Sequence, residues 1–356
     1  MKHRGKADME FNQSRREFLQ QLAILGINLL GLSGCVTSRR KIEMVKESLV
    51  YDKSTVVIAQ NAEISDAVGQ ARQGKIQKML DAAVSRATEV SSVTAAWRKL
   101  FNPNDTVGIK VNCLRSAGKY LSSHPELVNC IVNGLVSAGI PQGQIIVWDR
   151  YNSELQNAGY EINRDGRGVK YYGTDAEGVG YSSELLISGS VASKISKILS
   201  TYCTAIINVP VLKDHNIAGV TLSLKNFFGA INDPNKYHDN INAAVADLNT
   251  SPLIKEKTKI TICDALKAIY DYGPGYHPQY TWDYNGLLVS TDPVAIDQIG
   301  ATIIEKKRAA TGLPSLAQAG RPPNYIAIAA DAEHKLGTNE PEKIELVHLE
   351  LGVATY

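Results

Sequence analysis

Six polar side chains stand close together in an otherwise apolar, small-residue stretch. Residues 208–229 read NVPVLKDHNIAGVTLSLKNFFG and hold Lys213, Asp214, His215, Thr221, Lys225 and Asn226. A lysine or histidine buried among such neighbours is costly unless it is paired or put to use. Imidazole titrates near working pH, which suits His215 to general acid–base work, and Lys213 and Lys225 are the matching catalytic candidates. Whether residues 219–226 form a strand (period two) or a helix (i, i+4), Thr221 and Lys225 share a face. Ala218-Gly219 permits close backbone approach, which suits a phosphate or another anion. Lys225, Thr221, Gly219 and Asn226 are therefore the candidate ligand- or cofactor-binding set. The competing reading is a surface loop whose charges are solvated.

The elements that must carry this cluster alternate between strand-like and helix-like runs. Residues 54–59, 106–111, 144–149, 205–209, 259–264, 286–290, 324–330 and 344–351 read as strands, mostly as continuous apolar runs. Residues 75–90 place Ile76, Leu80, Ala83 and Val84 at helical spacing. His124-Pro125-Glu126 opens a helix that Gly139-Ile140-Pro141 stops, and Asp292-Pro293 caps another. Such alternation predicts an α/β fold with a mostly parallel sheet covered by helices. The polar residues at strand ends, Asn112, Asp149, Asn208 and Asp264, would then gather where such folds place their sites. The length beyond residue 51 suits two packed lobes with the site between them, or one large α/β unit.

The blocks VGIKVN (107–112), NVPVLKDH (208–215), GVTLSLKNFFG (219–229) and STDPVA (290–295) resemble the domain of unknown function 362 family. The resemblance covers roughly residues 54–310 and implies an α/β fold without an assigned reaction. A weaker resemblance is mechanistically sharper. His215-x-x-Ala218-Gly219-Val220-Thr221-x-x-x-Lys225 is similar to the lactate racemase segment that carries an acid–base histidine and the lysine tethering a nickel-pincer nucleotide. It implies Lys225 as the tether and His215 as acid–base. It also implies a substrate carboxylate held by an early loop, for which Asn112 and Arg115 are the counterparts. A nickel-binding histidine and a second acid–base histidine belong to that family, and His238 and His124 are available without matching a motif. His124, just before Pro125, also reads as a residue that packs at the helix start. His238 reads equally as a ligand or a loop residue. Asp264 reads as an orienter of lysine or histidine, or as a metal ligand with His238.

How the chain travels is written in its first residues. Ser14-Arg15-Arg16-Glu17-Phe18-Leu19 is a twin-arginine export motif, followed by an apolar run over residues 22–32 and by Leu32-Ser33-Gly34-Cys35, which is similar to a lipobox. The expected organisation is a signal peptide over 1–34, a tether over 35–51 and the α/β domain over 52–356. The twin-arginine translocase would be a transport partner, and acyl chains on Cys35 would hold the mature protein to a membrane outside the cytoplasm. That route carries folded proteins, so a cofactor could be loaded before export.

Residues 1–34 hold five basic and three acidic residues, so the chain's +2 falls to 0 beyond them. This balance gives no support for nucleic-acid binding. Cys113, Cys130, Cys203 and Cys263 sit in apolar segments without a Cys-x-x-Cys pair, which predicts buried free thiols and no iron–sulfur cluster. Residues 270–284 carry Tyr270, Tyr272, Tyr276, Tyr280, Trp282 and Tyr284 around Gly273-Pro274-Gly275, either a lid over a planar or sugar ligand or rings packed on their own domain. Two functions follow. The leading one is an exported, lipid-anchored enzyme using a metal or tethered cofactor on a small anionic substrate, by racemase-like proton or hydride transfer. The alternative is a lipoprotein that binds a ligand or glycan without turnover.

Overall fold

The computed structural model describes residues 53–114 and 118–352. The export motif, Cys35 and Arg115 lie outside the described residues. Twelve strands are described: β1 (Ser54–Gln60), β2 (Val107–Lys110), β3 (Ile145–Trp148), β4 (Lys170–Tyr171), β5 (Leu186–Ser188), β6 (Val191–Ser193), β7 (Ala205–Asn208), β8 (Val211–His215), β9 (Gly219–Thr221), β10 (Thr258–Ile269), β11 (Thr281–Ser290) and β12 (Ile344–Glu350). The helices are α1 (Gly69–Ala87), α2 (Val93–Leu100), α3 (Pro125–Ala138), α4 (Asn152–Asn157), α5 (Ser223–Asn226), α6 (Ile241–Asn249), α7 (Pro252–Lys255), α8 (Pro293–Ala310) and α9 (Tyr325–Ala330).

One sheet runs in the order β12-β1-β11-β10-β7-β2-β3-β4, with β8 paired to β10 and β9 to β8. Its pairings are parallel except those of β11 with its two neighbours and the β8–β9 hairpin. The described residues form one compact unit built on this sheet, with β5 and β6 as a separate two-stranded sheet, where the sequence also allowed two lobes. Strand side chains alternate between two cores: Val57 and Ala59 face one, Val56 and Ile58 the other. Helices α1, α2 and α3 cover the first through Leu80, Trp97 and Ile131, and α6, α8 and α9 cover the second through Val245, Ile304 and Tyr325. Both faces are buried, which is why the strands read as unbroken apolar runs.

Local signals act where expected. Pro125 opens α3, and Gly139, at φ 104°, ends it in the left-handed region. Asp292 caps α8 by accepting the N–H groups of Val294 and Ala295. Residues 324–330, expected as a strand, instead form α9. A short apolar run does not distinguish a strand from a buried helical turn, and the run here is alanine-rich and follows Pro322-Pro323. The tyrosine-rich segment closes the β10–β11 hairpin and spends most of its rings on one another. Tyr272 stacks on Tyr280 at 4.7 Å, and Tyr270 meets Tyr280 and Trp282 edge-on. The four cysteines among the described residues are buried and free.

Candidate functional site

The parallel register fixes the floor of the site. Lys110 at the end of β2 stands opposite Trp148 of β3 and Asn208 of β7. Asn112, Asp149 and Asn208 therefore emerge together at the carboxyl edge of the sheet, where open α/β sheets bind ligands. Lys110 Nζ donates to Asp149 Oδ1 at 2.8 Å and to the Val111 carbonyl at 2.7 Å. Asp149 also accepts the N–H groups of Cys113 and Arg150. These extra donors matter, because a buried ion pair with unsatisfied atoms costs more than it returns. Asn226 bridges the strands: its Oδ1 accepts from Asn112 Nδ2 at 3.0 Å, and its Nδ2 donates to Asn208 Oδ1 at 2.7 Å.

The second wall is the β8–β9 hairpin and α5. Pairing sets Lys213 opposite Thr221 and His215 opposite Gly219. Lys213 Nζ donates to Asn112 Oδ1 at 2.9 Å, which ties the hairpin to the floor. Burial lowers its pKa to about 8 against the opposing pull of Cys113 and Asp149. On the opposite strand face, buried Asp214 is held by Arg321 and by the Gly273 N–H, and burial raises its carboxyl to about 6. His215 Nδ1 accepts the N–H groups of Ile217 and Ala218 at 3.1 and 3.2 Å. The neutral ring must then carry its proton on Nε2. His238 stacks beside it with ring centroids 6.1 Å apart.

A cleft of about 410 Å³ lies between these walls. Lys225, Thr221, His215, Asn226, Asn112 and His238 all line it, so most of the expected cluster converges on one space. Lys213 stands behind Asn112. Lys225 is only 8% exposed, and its Nζ lies 5.1 Å from the centre of the Phe228 ring. The described residues offer this ammonium no hydrogen bond or ion pair, and burial alone lowers its pKa to about 7.

Two expected site residues have other work. Gly219, at φ +77°, lies against backbone: a Cβ there would come 2.5 Å from the Arg321 carbonyl oxygen. Its small size serves packing against residues 321–323, and it does not line the cleft. Asp264 is fully buried and accepts from His124 N and Leu266 N, with the His124 ring at 2.8 Å. It holds the His124 ring and the start of α3, the orienting one of its two expected roles, and is not among the residues that line the cleft with His238. Among the described residues, no three His, Cys, Asp or Glu side chains form a metal-ligand set, so the side chains described do not fit a metal held by the protein alone.

The sequence reading passed over Lys110, Glu154 and Gly229. Lys110 was visible as a lysine inside an apolar strand. Gly229 is the close backbone approach of this site: a Cβ there would come 2.9 Å from Lys110 Nζ and 3.2 Å from Asp149 Oδ1. Glu154 of α4 lines the cleft with no side-chain hydrogen bond among the described residues. Burial, reinforced by Asp149, raises its pKa to about 7. Nothing in a short polar helix marks such a residue beforehand.

The fold and cleft define an α/β protein with an ionisable, largely buried site at the carboxyl edge of a mostly parallel sheet. Residues 107–302, more than half of the chain, match the family described as "Domain of unknown function (DUF362)", and the chain belongs to that family. No curated protein matches. A crystal structure of a Thermotoga maritima protein from the Northeast Structural Genomics Consortium is similar at 13% identity and a TM-score of 0.36. The match covers 62% of this chain and 58% of that one. Among the described residues, no helix is long and apolar enough to cross a membrane.

Proposed function

We propose that this protein is an exported, lipid-anchored enzyme that binds a small anionic substrate in the cleft and reacts with it through Lys225. The observation that carries the reading is the Lys225 amine, buried in the cleft with no anionic partner. Arg150, a permanent cation that also lines the cleft, suits the charge of an anion. A lysine whose pKa falls to about 7 is a weaker anchor and a better base or nucleophile. In this reading Lys110, Lys213 and Asn112 supply the positive and polar floor, and His215 and His238 move protons. The lactate racemase resemblance would make Lys225 a tether for a cofactor.

The test is thermal stability of the exported protein, with Cys35→Ser to free it from the membrane, against small carboxylates, phosphates and neutral sugars. Stabilisation by a carboxylate or phosphate, lost in Lys225→Met, is expected. Stabilisation by neutral sugars alone would replace the enzyme with a glycan-binding lipoprotein. Cys35→Ser should also move the protein from the membrane fraction to the soluble one.

A further inference from the structure

The cleft holds two ionisable side chains of opposite type that the described residues leave without a polar partner, Lys225 and Glu154. A surface lysine or glutamate finds water, and a structural buried one finds a counter-ion, as Lys110 and Asp149 do. Lys225 does neither, and Glu154, half-buried in the wall of the same cleft, has no counter-ion among the described residues. We propose that Lys225 forms an imine with the carbonyl of a 2-oxo carboxylate, and that Glu154 supplies the proton that expels water. This rests on the anionic-substrate reading and names the substrate class.

The chemistry balances within the site. The lone pair of neutral Lys225 Nζ attacks the carbonyl carbon, a C–N bond forms, and a proton passes from nitrogen to oxygen to give the carbinolamine. Glu154, neutral, protonates that hydroxyl. The C–O bond breaks, water leaves, and the product is an iminium on Lys225 with Glu154 as carboxylate. No oxidant or reductant is consumed. Burial favours both starting forms, since it lowers Lys225 to about 7 and raises Glu154 to about 7. The Phe228 face beneath Nζ stabilises the cationic iminium as it does the ammonium. Arg150, which lines the cleft, and Lys213, tied to Asn112, give the substrate carboxylate a positive field, Lys110 being already paired with Asp149. A carbonyl beside a carboxylate therefore suits the cleft better than a simple aldehyde.

The experiment incubates the Cys35→Ser protein with pyruvate or 2-oxoglutarate and sodium cyanoborohydride, then locates the added mass by peptide mapping. The unaltered site should gain one reduced 2-oxo acid on the Lys225 peptide. Lys225→Met should gain none there, and Glu154→Gln should trap roughly 10²-fold more slowly at the same lysine. Thermal stabilisation by the same acids without reductant is measured in parallel. Stabilisation without an adduct overturns the imine and leaves the anionic-substrate reading standing. Absence of both overturns both. An adduct spread over surface lysines, or placed on Lys213, also overturns the assignment, and mapping on the unaltered site needs no variant to fold.

Discussion

Asp297 accepts the Ser223 N–H at 2.6 Å, so a carboxylate on α8 holds the first turn of α5, the helix that carries Lys225 and Asn226. The other oxygen accepts from the Leu224 N–H and from the Tyr325 hydroxyl. Asp297 is fully buried, and burial raises its pKa to about 8 although all three donors oppose the shift. One wall of the cleft thus depends on a residue that does not line it.

Asp297→Asn should loosen α5. An amide nitrogen cannot accept the Leu224 N–H, whereas even a neutral carboxyl can, so the cost is about 1–3 kcal/mol. The sign of the pH dependence follows from the raised folded pKa. The folded state holds this proton and the unfolded state releases it, so the contribution is full below about 4, the ordinary range of an aspartate. It is lost as pH rises through about 8. Urea unfolding at pH 5 and pH 9 checks this: the variant's deficit should narrow at the higher pH. A deficit that stays the same at both pH values would mean that Asp297 acts as an anion throughout.

Gly229→Ala should damage the site more than the fold. The added methyl would press on both members of the Lys110–Asp149 pair, and overpacking of this kind costs about 1–3 kcal/mol. The lysine has little room to withdraw, because it is 1% exposed and also bonded to Val111. Carboxylate-induced thermal stabilisation should fall while far-ultraviolet dichroism is kept. Unchanged stabilisation would show that the pair is not part of the binding floor.

The layered architecture was legible because burial of both sheet faces writes itself into continuous apolar strands and helical spacing, as at Val107–Lys110 and around Leu80. The cluster around Lys225 was legible for the complementary reason, since charged residues inside an apolar run are costly without a purpose. Side-chain direction was not. Gly219 and Gly229 are the same residue type in one motif, yet the first packs on Arg321 and the second on Lys110. Asp264 looked like a site residue because it ends a predicted strand, but β10 continues to Ile269 and turns that carboxylate toward His124. Glu154 acquires its raised pKa only from tertiary burial, reinforced by Asp149 and opposed by Lys110.

Lys225→Met should make the protein more stable while abolishing its reaction. Methionine fills much of the same space without an amine to desolvate, and the Phe228 face accepts a thioether readily. The folded pKa of Lys225 is depressed to about 7, so between the ordinary lysine range and pH 7 the unfolded chain takes up a proton that the folded one refuses. The wild-type contribution is therefore fully present above about 10.4 and lost as pH falls through the folded pKa. The advantage of the variant should be smallest near pH 10 and reach on the order of 4 kcal/mol at pH 6. Denaturant melts of both proteins at these two pH values measure it directly. If Lys225→Met were less stable at pH 6, the ammonium would have a stabilising partner in solution, and its place as the reactive group of the cleft would fall with that result.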